Sequence, residues 1–216
     1  MAQDVFIGRS TGTKLVAGAI GRRRLGSGAE LGLRSSVMRV LAAISGGAGA
    51  PASLLSPLAE GADQLIAAAA LDAGWRLGAV LPFEPAAYAA TFDLPDAARS
   101  RAEFDRLAAT AAPPRGWGVM VLAGDPSDGG RDRAFLDCAS WIIERADILL
   151  AVLDADDLAS QTAHSVLQAL DAGLPVARFD PAAPWALELR VGGESLAGPE
   201  ALLRLVEWAA GIQTRL

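Results

Sequence analysis

The stretch "SLLSPLAEGADQLIAAAALDAG", Ser53 to Gly74, decides how the chain is read. An apolar run stops at Ser56 and Pro57, a turn carries Glu60 and Gly61, and an alanine-rich run then opens with Asp63 and closes at Gly74. A short apolar strand, a tight turn and a helix ended by glycine make half of a parallel β–α–β unit. The pattern recurs outward in both directions. Upstream, Lys14 to Ile20 is a short strand and Glu30 to Ile44 has helical apolar spacing through Leu33, Val37, Val40, Leu41 and Ile44. Downstream, strands are expected at Trp75–Leu81, Gly118–Leu122, Asp147–Leu153 and Pro175–Phe179. Helices are expected at 84–91, 96–110, 131–145, 160–172 and 199–210.

These strands are apolar throughout rather than alternating, which is the mark of a parallel sheet covered on both faces. The sequence predicts one α/β domain over residues 1–216, a doubly wound, mostly parallel, Rossmann-like sheet with helices on both faces. Residues 1–13 are expected to form an irregular arm, and 199–216 a C-terminal helix. "GGAGA" at Gly46 to Ala50 reads as a flexible linker, and "ALELRVGG" near Ala186 as a short edge strand.

Hydrophobic residues make up 52% of the 216, ample for a core, and the formal charge of −6 works against a general nucleic-acid coat. No apolar run reaches the roughly 18 residues of a membrane span, and the N-terminus lacks a signal-peptide pattern, so a cytoplasmic protein is expected. Cys138 is the single cysteine, which excludes an intramolecular disulfide. Its helical apolar surroundings suggest a packed structural thiol.

In an open parallel sheet, ligands bind where the strands end. The residues just after the strands are therefore the candidates: Gly21, Arg22 and Arg23; Ser56, Pro57, Glu60, Gly61 and Asp63; Pro82, Phe83 and Tyr88; Asp154, then Ser160, Gln161 and Thr162. Gly61 lets backbone come close to a ligand, helix N-termini favour phosphate, and an arginine fork can grip it. Each residue also has a plainer use, Ser56 as turn former, Asp63 as a first-turn acid and Ser160 as N-cap. Asp154, Asp156 and Asp157 offer oxygens for Mg²⁺ beside phosphates, and an acidic loop cap accounts for them equally. No metal site is expected: His164, the only histidine, has no second histidine or cysteine partner. Neither a P-loop nor the dinucleotide glycine fingerprint is present.

Together these segments resemble the SLOG superfamily, the Rossmann-like group that includes DNA-processing protein A and the Lonely Guy proteins. The turn of the DNA-processing branch, Ser-Gly-x-Ala-x-Gly-x-Asp, is matched by Ser56, Ala59, Gly61 and Asp63, with Pro57 in place of the first glycine. "VAGAIGRRRL" is similar to a first-strand motif ending Gly-x-Arg, matched by Gly21 and Arg23. "ADILLAVLDADDLASQTAHSVLQALDAGLPVARF", and Leu81, Pro82, Phe83, Tyr88 and Phe92, resemble the bacterial sensor-like members. The resemblance runs from Val16 to Phe179 and implies a nucleotide-binding site at Gly21, Arg23, Ser56, Glu60, Gly61, Asp63 and Thr162. It implies a nucleotide-like small molecule as ligand and no cofactor firmly, and a sensor of this kind would need a second copy or a separate effector protein as partner. Ser160-Gln161 stands where two glycines belong, and His164-Ser165 where Lonely Guy hydrolases carry a glutamate. An N-glycosidase cleaving nucleoside monophosphates would have to use Glu60 or His164, and the third expectation, a single-strand DNA binder, is disfavoured by charge.

Overall fold

The computed structural model describes residues 15–113 and 116–213, so the expected arm at 1–13 lies outside the described residues. In chain order the elements are β1 Val16–Gly21, α1 Ala29–Ala48, β2 Ser53–Ser56, α2 Ala62–Asp72, β3 Arg76–Leu81, α3 Pro85–Ala90 and α4 Ala97–Ala111. There follow β4 Gly118–Val121, α5 Arg131–Ile143, β5 Ile148–Val152, α6 Gln161–Asp171, β6 Val176–Asp180, β7 Ala183–Val191, β8 Glu194–Ala197 and α7 Gly198–Gln213. The described strands form one sheet in the order β4-β3-β2-β1-β5-β6-β7-β8. All pairings from β4 to β6 are parallel; β6–β7 and β7–β8 are antiparallel.

Strand residues alternate between two buried faces, which is why the strands read as continuous apolar runs. On one face Ala17, Ala19, Leu54, Leu77, Leu150 and Val152 pack with residues from α1, α2, α4 and α7. On the other, Val16, Ile20, Leu55, Val80, Leu149 and Ala151 pack against α5 and α6. Truncating a leucine of this core such as Leu150, fully buried, would cost about 2–5 kcal/mol.

Two sequence expectations are corrected. The glycine-rich segment is not a linker from its start: α1 continues through Gly46 and Gly47 to Ala48. A Cβ on Gly47 would sit 2.2 Å from the carbonyl oxygen of Val206. The small residues thus let α1 and α7 cross at close range, and that packing overrides glycine's poor helix propensity. Nor is "ALELRVGG" a short edge strand. It belongs to the nine-residue β7, which turns through Gly192 and Gly193, at φ 58° and 83°, into β8 at the sheet edge.

Candidate functional site

Strand order fans out from β1: β2 lies on one side and β5 on the other. The chain changes direction across the sheet there, so the connections leaving β1 and β5 diverge and open a crevice at the strand ends. A cavity of about 350 Å³ occupies it. Its wall includes Gly21, Arg22 and Arg23 from β1, Pro57 and Asp63 from the β2–α2 connection, and Pro82 and Tyr88 beyond β3. Ser160, Gln161 and Thr162, at the start of α6, also line it, whereas Ser56, Glu60, Gly61, Phe83 and Asp154 of the expected set do not.

The turn Pro57–Gly61 is built under backbone constraint. Leu58 is the one non-glycine residue with positive φ (59°) among the described residues, and it is fully buried. Its N–H donates to Ser56 Oγ at 3.1 Å, so Ser56 holds the turn from beneath rather than facing the cavity. Gly61 has φ 88°, and a Cβ there would lie 1.9 Å from the carbonyl oxygen of Arg23. The close approach that Gly61 permits is therefore to the chain's own β1 loop. A Cβ on Gly21 would likewise lie 2.4 Å from that of Ala62, and the Ala62 N–H donates to the Arg22 carbonyl at 3.2 Å.

Arg23 is the organising cation. Its guanidinium donates to the Thr91 carbonyl at 3.0 Å, lies 3.7 Å from a Glu60 oxygen and covers the Phe135 ring at 5.2 Å. Glu60 is fully buried, and its two oxygens accept N–H bonds from Asp93 and Leu94 at 3.0 and 3.3 Å. It ties down the segment after α3 and is not part of the cavity wall. Phe83 also lies behind the wall, stacking on Phe135 and meeting Tyr88 edge-on at 5.7 Å. Tyr88, 2% exposed, carries its hydroxyl into surroundings that push its pKa well up, burial first and the nearby Asp63 second.

Asp63 differs from the other acids. It lines the cavity, is 3% exposed, and its Oδ1 has no hydrogen-bond partner. Burial holds its carboxyl well above the usual carboxylate range, against the opposing pull of Arg23 and the amides of Ala59 and Gly21. At the rim, Arg22 forms an ion pair with Asp154 that spans from the β1 loop to the β5 loop. Asp157 accepts the N–H groups of Ala159 and Ser160, and its contacts with Ser160 lower its pKa. Ser160 Oγ accepts the Ala163 N–H at 3.0 Å as an ordinary N-cap. Asp154 and Asp157 are thus engaged with protein partners, and no group of three or more His, Cys, Asp or Glu among the described residues could hold a metal ion. His164 is exposed on α6, outside the cavity wall.

Sequence reasoning missed the contribution of α5. Phe135, Leu136, Cys138 and Ala139 form one side of the cavity, with Ser165 of α6 nearby. Cys138 is a buried thiol donating to the Val80 carbonyl at 3.1 Å, and burial pushes its pKa far up. α5 precedes β5, and residues ahead of a strand carry no strand-end signal in the sequence.

No protein-family model and no curated protein matches the sequence. Among solved structures, the chain is similar to DNA processing protein A from Streptococcus pneumoniae, at 14% identity over 77% of this chain and 50% of that one, with a TM-score of 0.49. It is also similar to DNA processing protein A from Helicobacter pylori, a structure concerned with that protein's single-stranded DNA binding mode. There the identity is 16% over 78% of this chain and 65% of that one, with a TM-score of 0.46. A third, the structural-genomics target TM1055, shows 15% identity over 75% of this chain and 72% of that one, with a TM-score of 0.45. The chain spans only half of the pneumococcal structure. The fold is Rossmann-like, and at these identities the likeness is one of fold alone. Among the described residues, no helix is long and apolar enough to cross a membrane.

Proposed function

We propose that the strand-end cavity binds a nucleotide or nucleotide-derived small molecule, with its phosphate towards Arg22 and the first turn of α6. The observation that carries this reading is Asp63, a buried acid in the cavity wall whose Oδ1 lacks a partner. A buried polar atom left unsatisfied costs about 1–3 kcal/mol, so an occupant supplying a donor there gains correspondingly. The volume of about 350 Å³ lies at the small end of the usual range for ligand pockets. The aromatic side made by Tyr88 and Phe135 suits a flat ring, and Arg22 with the α6 N-terminus suits an anion. Binding has more support than hydrolysis because Glu60 is enclosed by Asp93, Leu94 and Arg23, and His164 lies outside the cavity wall.

The test is a thermal-shift screen of the full chain against nucleoside phosphates, ADP-ribose-type compounds and cyclic dinucleotides. A ligand at one hundred times its Kd stabilises the fold by about 2.7 kcal/mol, or roughly 5–10 °C at this size. Absence of any shift, both in the wild type and in Gln161→Gly, would refute the reading. An oligodeoxynucleotide is the comparison arm, because the net charge of −6 opposes a DNA-binding role.

A further inference from the structure

A second, larger cavity of about 860 Å³ lies on the outer side of the sheet's helical layer, between α1, α2 and α4. Its wall contains Arg24, Arg34, Arg99 and Arg106, besides Arg23, against three acids, Glu30, Asp96 and Glu103. With Asp72 and Glu60 counted, which pair with Arg34 and Arg23 from outside the wall, acids and arginines here are equal in number, so the pairing of each arginine decides which are free. Two of these arginines are committed elsewhere: Arg34 pairs with Asp72, and Arg106 forks onto both oxygens of Glu103 at 2.7 and 2.8 Å. Arg23, shared with the strand-end cavity, is held by Thr91 and faces Glu60. Arg24 and Arg99 are exposed and, among the described residues, have neither an ion pair nor a hydrogen-bond partner. Between the charges the wall is apolar, with Leu25, Leu65 and Ala68.

We infer that this cavity is a second ligand site, separate from the strand-end crevice, that takes a small organic phosphate. The two uncommitted guanidinium forks match the several acceptor oxygens of a phosphate dianion, where a lone carboxylate would satisfy one fork. Leu25, Leu65 and Ala68 seat the apolar body that the phosphate carries.

Isothermal titration of the full chain with phenyl phosphate tests this, with inorganic phosphate as the probe that lacks an apolar body. Phenyl phosphate should bind the more tightly of the two. Replacing Arg24→Ala together with Arg99→Ala should weaken its binding by about tenfold or more, the worth of charge-assisted hydrogen bonds lost at two forks. Both side chains are exposed, and circular dichroism checks that the double variant folds. Because the strand-end crevice also suits a flat ring with a phosphate, the two sites are told apart by where the ligand is felt. In an amide NMR titration, shifts should fall on Arg99 and Ser100. No binding, equal affinity in wild type and double variant, or shifts confined to Thr162 and Ala163 would each overturn the proposal.

Discussion

Replacing Gly61 by alanine puts the packing of the β1 loop on the β2–α2 turn to a quantitative test. Gly61 sits at φ 88°, ψ −120°, a region all but closed to residues with a side chain, and adopting it costs alanine about 1–3 kcal/mol. Its new Cβ would lie 1.9 Å from the Arg23 carbonyl oxygen, far inside the ordinary C···O contact of about 3.3 Å or more. The loop must therefore shift by more than 1 Å, against two anchors: the Ala62–Arg22 backbone bond and the Arg23–Thr91 bond. Losing one of them adds about 1 kcal/mol. The expected cost is about 2–4 kcal/mol, which lowers Tm by roughly 4–16 °C for a domain of this length. Gly74→Ala is the control, because Gly74 has φ 78° but nothing within 4 Å of the added Cβ. Strain alone should cost it about 1–2 kcal/mol, a drop of roughly 2–8 °C. Melting curves by circular dichroism read both. Equal midpoints for the two variants would refute the claim that contact with Arg23 dictates glycine at position 61.

Other outcomes follow from the site. The carboxyl of Asp63 is raised above its ordinary 3.8 by burial, so the folded chain holds a proton that the unfolded chain releases. Its contribution to stability is full below about pH 4 and is lost as pH climbs towards the raised folded value. Asp63→Asn cannot ionise, so its Tm relative to wild type should rise between pH 4.5 and 7.5; a constant offset would contradict a buried neutral acid. Cys138, 1% exposed and kept as a thiol by burial, should resist Ellman's reagent in the native protein and react only as the chain unfolds. Asp154→Asn releases Arg22 from a pair about one-third exposed. It should alter stability by no more than about 1 kcal/mol and tighten nucleotide binding in the thermal-shift assay. A weaker nucleotide shift would count against Arg22 as the phosphate partner.

The sequence made the parallel strands legible because the inner ones, β1, β2, β3, β5 and β6, bury both faces and glycine or proline punctuates the chain, as at Gly74 and Pro82. Positions along the candidate site were legible for a geometric reason: parallel strands all end on one edge, so residues after β1, β2, β3 and β5 converge whatever their spacing in the chain. Which side chains face the cavity was not legible, since Glu60 and Asp63 stand in one turn and differ only in what surrounds them. Gly46-Gly47 misled because tolerance of glycine inside α1 depends on α7, more than 150 residues away. The β7–β8 hairpin did leave a signal, Gly192-Gly193 between two β-type runs, a pairing typical of tight hairpins.

The position of β1 also has a consequence for the order of folding. Residues Ala17 to Gly21 pair with Ile148 to Val152, and the Val16 N–H donates to Asp147 across 131 positions. The half of the sheet from β1 to β4 can close through local crossovers as soon as it is synthesised, whereas the β5 wall arrives only after that long loop is closed. Until then β1 is an open edge, and the crevice has one side. A chain interrupted before residue 148 would expose that edge to other strands, so the junction that bounds the crevice in the mature fold is the edge open to aggregation in an unfinished one.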